Sequence, residues 1–377
     1  MLNTIYNQKL NLNSGQRGLL DIIRREGVTT RINLSRKSGM SRGAVTRSIS
    51  ALLSAGLIKE GDRLNGGRGQ PSLELSLNRT GYYSIGIGFS LGSMDISIVD
   101  LTGEEIFSKS MYHAESQDFS STISQVSKLI STSVREAKVQ ASYIIGVGYS
   151  ITGFTKTDGI TRYTATGFEH WRDEDILEEF QKCTGLPSWV ENNANAAALG
   201  EFFCGAWAQT TDLIFIELGH GLGAGIIHNS KLVCGGHGNA GEIGGFFPKS
   251  KSRPSIASLM AQLEINNINE IPNDITHPVI NDWIVQTAKD LKLVITSACY
   301  WLDPEVIAIG GSIPDHILNG LMEELKAHKL HSDNPDYPKP VISKSLSNNN
   351  SSAFGSAMIP LYERIYHSLF SVKSVAS

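Results

Sequence analysis

Near its start the chain is patterned in short helices, and beyond Tyr82 it alternates strands with helices. Between Gln16 and Glu26 the apolar residues are Leu19, Leu20, Ile22 and Ile23, one helical face that Gly27 stops. Thr29 or Thr30 can cap a second helix carrying Ile32 and Leu34 that ends at Gly39. Ser41 caps a third helix, with core face Val45, Ile49, Leu52 and Leu53, ended by Gly56. Leu57–Glu60, a Gly/Arg-rich loop over Gly61–Gln70, and Ser72–Leu77 predict strand, loop and strand.

The later pattern repeats itself. Tyr83–Phe89 predicts a buried strand, Ser93–Leu101 its hairpin partner, Glu105–His113 a third strand, Phe119–Ala137 a helix and Tyr143–Ile151 another buried strand. Leu213–Leu218 then predicts a strand, followed by the turn GHGLGAG, a strand over Ala224–His228, a long helix over Trp283–Trp301 and a strand over Glu305–Ile309 that runs into Gly310-Gly311. Two strand-rich halves, each followed by helices, imply a duplicated α/β body with a cleft between its lobes. Glycine turns after strands let backbone amides approach phosphate oxygens.

Helices two and three, joined at Ser38-Gly39-Met40, form a helix-turn-helix whose second helix enters the major groove by its N-terminal residues. Those residues are Ser41, Arg42, Gly43, Ala44, Thr46 and Arg47, short or cationic and off the apolar face; Arg36, on the preceding helix, is a further candidate contact. Arg42 and Arg47 suit guanine edges or phosphates, and Ser41 and Thr46 can donate to phosphates. The loop RLNGGRGQP makes a wing whose Arg63 and Arg68 suit a narrow minor groove. A trihelical bundle can also serve dimerisation or peptide docking, but the charge favours DNA. Residues 14–79 carry twelve Lys/Arg against five Asp/Glu, a balance of +7, whereas residues 80–377 carry twenty against 32, a balance of −12.

The segments SIGIGFSLGSMDISIVDLTG, LPSWVENNANAAALGE, IELGHGLGAGI, GGHGNAGEIGG and PEVIAIGGSIP, in that order, resemble the ROK family (repressor, open reading frame, kinase) over essentially the full chain. The resemblance is to its transcriptional regulators, of the N-acetylglucosamine- and xylose-repressor kind. It implies an α/β chain: an N-terminal winged helix-turn-helix, residues 1–79, followed by a two-lobed actin-like ATPase body of ROK sugar-kinase type, residues 80–377. The lobes would run over about 80–190 with the C-terminal helix, and 191–355.

The chain departs from the family's kinases at its chemistry. The aspartate of the first loop falls at Gly88, and the base that takes the sugar hydroxyl proton falls at Asn193. An amide holds a hydroxyl but cannot accept its proton, and losing a positioned base costs roughly 10²- to 10⁴-fold in rate. The body is therefore expected to be catalytically silent, with no cofactor. The family's zinc-binding histidine falls at Gly245, and Gly244–Ala261 contains no cysteine, so no metal is expected either. Asn192, Asn193, Glu242, Thr166 and His170 are the expected sugar contacts, with Glu169 beside them; Asn192 and Asn195 can alternatively serve only as helix caps.

These features imply a regulator, a repressor in the first instance, of sugar uptake or catabolism genes. Its partners would be a double-stranded DNA operator, a small carbohydrate effector and a second copy of itself, as a homodimer or dimer of dimers. The alternatives are an active sugar kinase using another base, and a constitutive DNA binder with a vestigial pocket. The four cysteines are scattered, without disulfide or zinc spacing. No run of 18 or more apolar residues and no signal-peptide pattern is present, so a cytoplasmic protein with no membrane partner is expected. The tail Ser368–Ser377 reads as a disordered end.

Overall fold

The computed structural model describes residues 10–64, 72–90, 92–114, 117–156, 162–164, 168–171, 175–203, 207, 209–247, 253–330, 334, 336–346 and 351–366. Thr166, Arg68 and the tail Ser368–Ser377 lie outside these residues, as do the side chains of Arg63 and His170.

The first unit comprises α1 (Ser14–Glu26), β1 (Val28–Thr29), α2 (Arg31–Ser38), α3 (Arg42–Ser54), β2 (Ile58–Leu64) and β3 (Ser72–Leu77). Local chemistry sets its boundaries. Asn13 and Gln16 cap α1 reciprocally, each side chain accepting from the other's backbone N–H. Of the two candidate threonines, Thr30 caps α2, and Ser41 caps α3 by accepting from the Ala44 N–H. Gly39 ends α2 at φ 69°, a left-handed conformation that glycine adopts without a Cβ penalty. Leu19, Leu20, Ile23, Leu34, Val45, Ile49 and Leu52 are buried where the three helices meet; Leu53 is only half-buried. β3 lies between β1 and β2, antiparallel to both, which makes the wing a three-stranded sheet.

The body holds two five-stranded sheets. The first contains β4 (Tyr83–Ser90), β5 (Ser93–Asp100), β6 (Glu105–Tyr112), β7 (Ile144–Ser150) and β10 (Ser188–Glu191), in the order β10-β7-β4-β5-β6. Helices α4 (Phe119–Glu136) and α5 (Ile176–Thr184) and the small ribbon of β8 (Gly153–Thr155) and β9 (Arg162–Thr164) accompany it. After α6 (Asn193–Phe203), the second sheet contains β11 (Leu213–Leu218), β12 (Leu222–His228), β13 (Lys231–Leu232), β14 (Val306–Gly310) and β15 (Val341–Lys344), in the order β13-β12-β11-β14-β15. Helices α7 (Ile256–Gln262), α8 (Pro278–Leu302) and α9 (Asp315–Lys326) belong to this half, and α10 (Ser351–Leu361) closes the body with a π-helical turn over Tyr362–Tyr366.

Two helices join the lobes, and both get close to the sheets because small residues lie beneath them. A Cβ on Gly86 would stand 2.0 Å from the Ala353 carbonyl oxygen, and one on Gly148 2.0 Å from that of Ser356, so α10 lies directly on β4 and β7. A Cβ on Gly225 of β12 would likewise meet the Ala194 carbonyl oxygen at 2.4 Å, so α6 lies on the second sheet. The two helices cross where a Cβ on Gly355 would strike the Ala196 carbonyl oxygen at 2.1 Å. Such contacts exceed normal packing limits for any larger side chain.

The first unit does not hang from the body by a flexible linker. One continuous core runs from Leu19, Leu20 and Ile23 through Tyr82, Phe202 and Phe203 to Ile365 and Tyr366. Tyr82 donates to the Ala55 carbonyl, and Arg79 pairs with the buried Asp100 at 2.7 Å. Among the described residues no helix is long and apolar enough to cross a membrane.

Candidate functional site

The reading face is the exposed start of α3. Ser41, Arg42, Gly43, Thr46 and Arg47 are exposed there, Ala44 is half-buried, and Val45 and Ile49 point into the core. The sequence spacing thus places the two arginines on the solvent side. Among the described residues nothing but the Arg47 guanidinium, at 3.7 Å, lies near a Cβ added at Gly43, so this turn is open to a groove wall. One expectation changes. The Thr46 hydroxyl donates to the Arg42 carbonyl at 2.9 Å, so its proton is committed to the helix and it offers an acceptor, not a donor, to phosphate. Ser41 keeps its proton, because its oxygen accepts from the Ala44 N–H. Arg36 is exposed and held at 2.8 Å by Asn33 Oδ1.

Behind the reading face, α1 is seated on the body through residues off its apolar face, which the sequence pattern did not single out. Asp21 pairs with Arg24 and Arg25, each at 2.8 Å. Burial would raise the Asp21 carboxyl, but the two guanidinium groups outweigh it and hold it below the usual range. Arg24 stacks over Phe203 at 4.5 Å and Phe202 at 5.3 Å, both at the end of α6, and over Tyr366 at 5.6 Å. Arg25 donates to the Thr210 carbonyl and the Ser230 hydroxyl, and Arg17 donates to the Glu363 carbonyl. Glu363 in turn has its carboxyl raised by burial and by the charge of Glu191, which ends β10 beside the cleft.

The residues expected to line the cleft gather where β10 turns into α6. Asn192 Oδ1 accepts from the Asn195 N–H at 2.7 Å, the capping role, while its Nδ2 donates to Glu242 Oε1 at 3.3 Å. Asn192 therefore takes the capping role that its sequence context left open, its oxygen is already used, and its amide nitrogen is turned to Glu242. Asn193 Nδ2 donates to Thr152 Oγ1 at 3.1 Å, across from the first lobe. The Asn193 Oδ1 is buried and has no hydrogen-bond partner among the described residues. Glu242 is exposed. His170 sits in the short turn Glu169–Trp171, which is pinned by Trp171, fully buried against Phe89 at 5.0 Å.

Two residues that the sequence did not single out belong to this region. Asn239 receives the Thr155 N–H at 2.8 Å and donates to the Thr155 carbonyl at 2.9 Å, a two-bond clamp between the loop before Glu242 and β8. Glu217, near the end of the apolar strand β11, has its carboxyl pushed up to about 7 by burial and by the charge of Glu242.

The fold treats Gly88 and Gly245, the positions of the family's first-loop aspartate and zinc-binding histidine in the resemblance, differently. A Cβ on Gly88 would stand 2.4 Å from Ser352 Oγ and 2.7 Å from the Ala353 nitrogen, so the start of α10 occupies the space that a side chain there would need. At Gly245 nothing among the described residues lies within 4 Å of an added Cβ. Among the described residues no group of three His, Cys, Asp or Glu side chains is arranged to hold a metal ion.

Comparison with known proteins agrees with this architecture. Residues 84–255 match the model of the ROK family, and residues 16–59 match a winged helix-turn-helix DNA-binding model. The chain carries a ROK family domain behind a winged helix-turn-helix. Over 365 residues it is 28% identical to an uncharacterized protein of Sinorhizobium fredii, covering 94% of this chain and 92% of that one. It is 29% identical to the xylose repressor of Caldicellulosiruptor bescii over 217 residues, a match that spans 58% of this chain and 54% of the repressor. A crystal structure of a ROK family transcriptional regulator, a homolog of the Escherichia coli Mlc protein, superposes with a TM-score of 0.69 at 21% identity, covering 94% and 97% of the two chains. At that identity the superposition establishes the fold, with the winged helix and the two-lobed ROK body in one chain.

Proposed function

We propose that this protein is a sequence-specific DNA-binding regulator of sugar uptake or catabolism genes, a repressor, whose ROK domain binds a carbohydrate effector without phosphorylating it. One observation carries the coupling. The helix α6 begins at Asn193 in the cleft and ends at Phe202 and Phe203 under Arg24 of the reader. Eleven residues at 1.5 Å each put these ends about 16 Å apart on one rigid rod. A ligand that shifts the start of α6 therefore shifts the seat of α1. The DNA-binding family match and the exposed arginines of α3 support the reader.

The silence of the body rests on Asn193 in place of a base and on α10 filling the space beside Gly88. Asn192, Asn193 and Glu242, with Thr166 and His170 from the neighbouring loop, are proposed to hold the effector. Two copies, as a dimer or a dimer of dimers, would present two α3 helices to half-sites about one helical turn apart.

The test is enrichment of sheared genomic DNA on the purified full chain, sequencing of the bound fragments, and release with a panel of sugars. Recovery of paired half-sites that at least one sugar releases supports the proposal. DNA binding that no sugar alters would leave a constitutive regulator. ATP turnover with any sugar in the panel would make the body an enzyme.

A further inference from the structure

We propose that Glu217 selects the ligand of this cleft, and that the ligand class is a sugar carrying a protonated amine. The inference rests on the reading of the cleft as an effector site and deepens it.

Glu217 is a carboxylate at the end of the run LIFIEL, in the central strand of the second sheet. Its register partner on β12 is Gly223, and a Cβ there would stand 3.2 Å from Ala194 Cβ, so both residues face the first turn of α6. Glu217 Oε1 lies 3.9 Å from where a Cβ of Gly219 would stand, and its Oε2 lies 4.0 Å from that of Gly223. The carboxylate thus lies against the glycine turn itself, where a phosphate would need the backbone amides. Among the described residues no N–H or O–H donor and no cation meets it, and the charge it feels is that of Glu242.

The surroundings are rich in acceptors. Besides the carboxylates of Glu217 and Glu242 there is the buried Asn193 Oδ1, which has no donor among the described residues. A buried acceptor left unmatched costs the full desolvation of that group. A phosphate brings further acceptors and negative charge, so the geometry rejects it. A hydroxyl supplies one proton and leaves the repulsion between Glu217 and Glu242 in place. An ammonium supplies three donors and a positive charge, which satisfies Glu217 in its ionised form and offsets that repulsion. The hydroxyls of the same sugar can then donate to Asn193 Oδ1.

Calorimetric titration of the full chain with free hexosamines, their parent hexoses and the corresponding hexose 6-phosphates tests this. At least one hexosamine should bind about tenfold or more tighter than its parent hexose, as a charge-assisted hydrogen bond requires, and the phosphates should bind least. Glu217→Gln should abolish most of that preference, whereas Glu217→Asp, which keeps the charge, should retain it. Thermal melting of each variant establishes that it is folded. A wild-type protein that binds a neutral hexose or a hexose phosphate as tightly as the hexosamine overturns the inference, as does a folded Gln variant with the preference intact. If a neutral sugar binds as tightly as any hexosamine and releases DNA, only the amine inference fails. If no sugar binds at all, the effector reading fails with it.

Discussion

The Arg24 guanidinium lies 4.5 Å from the centroid of Phe203, so the first helix of the reader rests on the last residue of the helix that starts in the cleft. The same guanidinium pairs with Asp21. Arg24→Ala removes the stack and leaves Asp21 with Arg25 alone, and it should destabilise the chain by about 2–4 kcal/mol in denaturant unfolding. Arg24→Lys keeps a charge but not the planar stack, and should fall between the two. In either variant a sugar should alter DNA affinity less than it does in the native chain. A variant as stable and as responsive as the native chain would remove α6 as the link.

Removing Arg42 or Arg47, both exposed on α3, should weaken DNA binding by about tenfold or more at moderate salt with little change in melting temperature. If the lost contact is to phosphate, the salt dependence of binding should also become shallower by about one counterion. Fluorescence anisotropy on an enriched site, across a salt series, measures both.

Asn193→Asp puts a carboxylate where a base would stand, yet a coupled ADP assay should still find no turnover, because position 88 has none. Gly88→Asp should not rescue it. A Cβ there would stand 2.7 Å from the Ala353 backbone nitrogen, and the substitution should cost stability by about 1–3 kcal/mol or more as α10 is displaced. Turnover in the Asn193→Asp chain would show that Gly88 is no obstacle.

Glu217 has a folded-state pKa of about 7 against an ordinary value of 4.5, because burial and Glu242 disfavour its charge. The native state therefore holds this proton where the unfolded chain has released it. Its stabilising contribution is complete below about pH 4.5 and is lost as the pH rises towards 7. Glu217→Gln should accordingly raise the melting temperature at pH 8 and change it less at pH 5. Equal shifts at the two pH values would count against this.

Much of this molecule was legible in its sequence where the cause is local. Ser41 before an apolar face, glycines at helix ends and the run Tyr83–Phe89 each fix their own conformation, and the structure places them as helix caps, helix stops and strand β4. The family resemblance, not local pattern, marked Gly88 and Asn193 as departures from kinase chemistry. What stayed hidden depends on distant partners. Arg24 and Arg25 look like solvent-facing charge until Phe202, Phe203 and Tyr366 come under them. Glu217 looks like one polar residue in a strand until its register with Gly223 turns it towards α6. Asn239 is one loop residue among glycines until it clamps Thr155.

The helix that lies on Gly86 and Gly148 is made long after the strands beneath it. During synthesis β4 and β7 emerge early, with one face bare, and stay so until residues 351–361 leave the ribosome. Arg17 and Arg24 also wait for Glu363 and Tyr366. A chain released short of these residues would keep the Phe202 and Phe203 half of the seat under its first helix and lack the Glu363 and Tyr366 half.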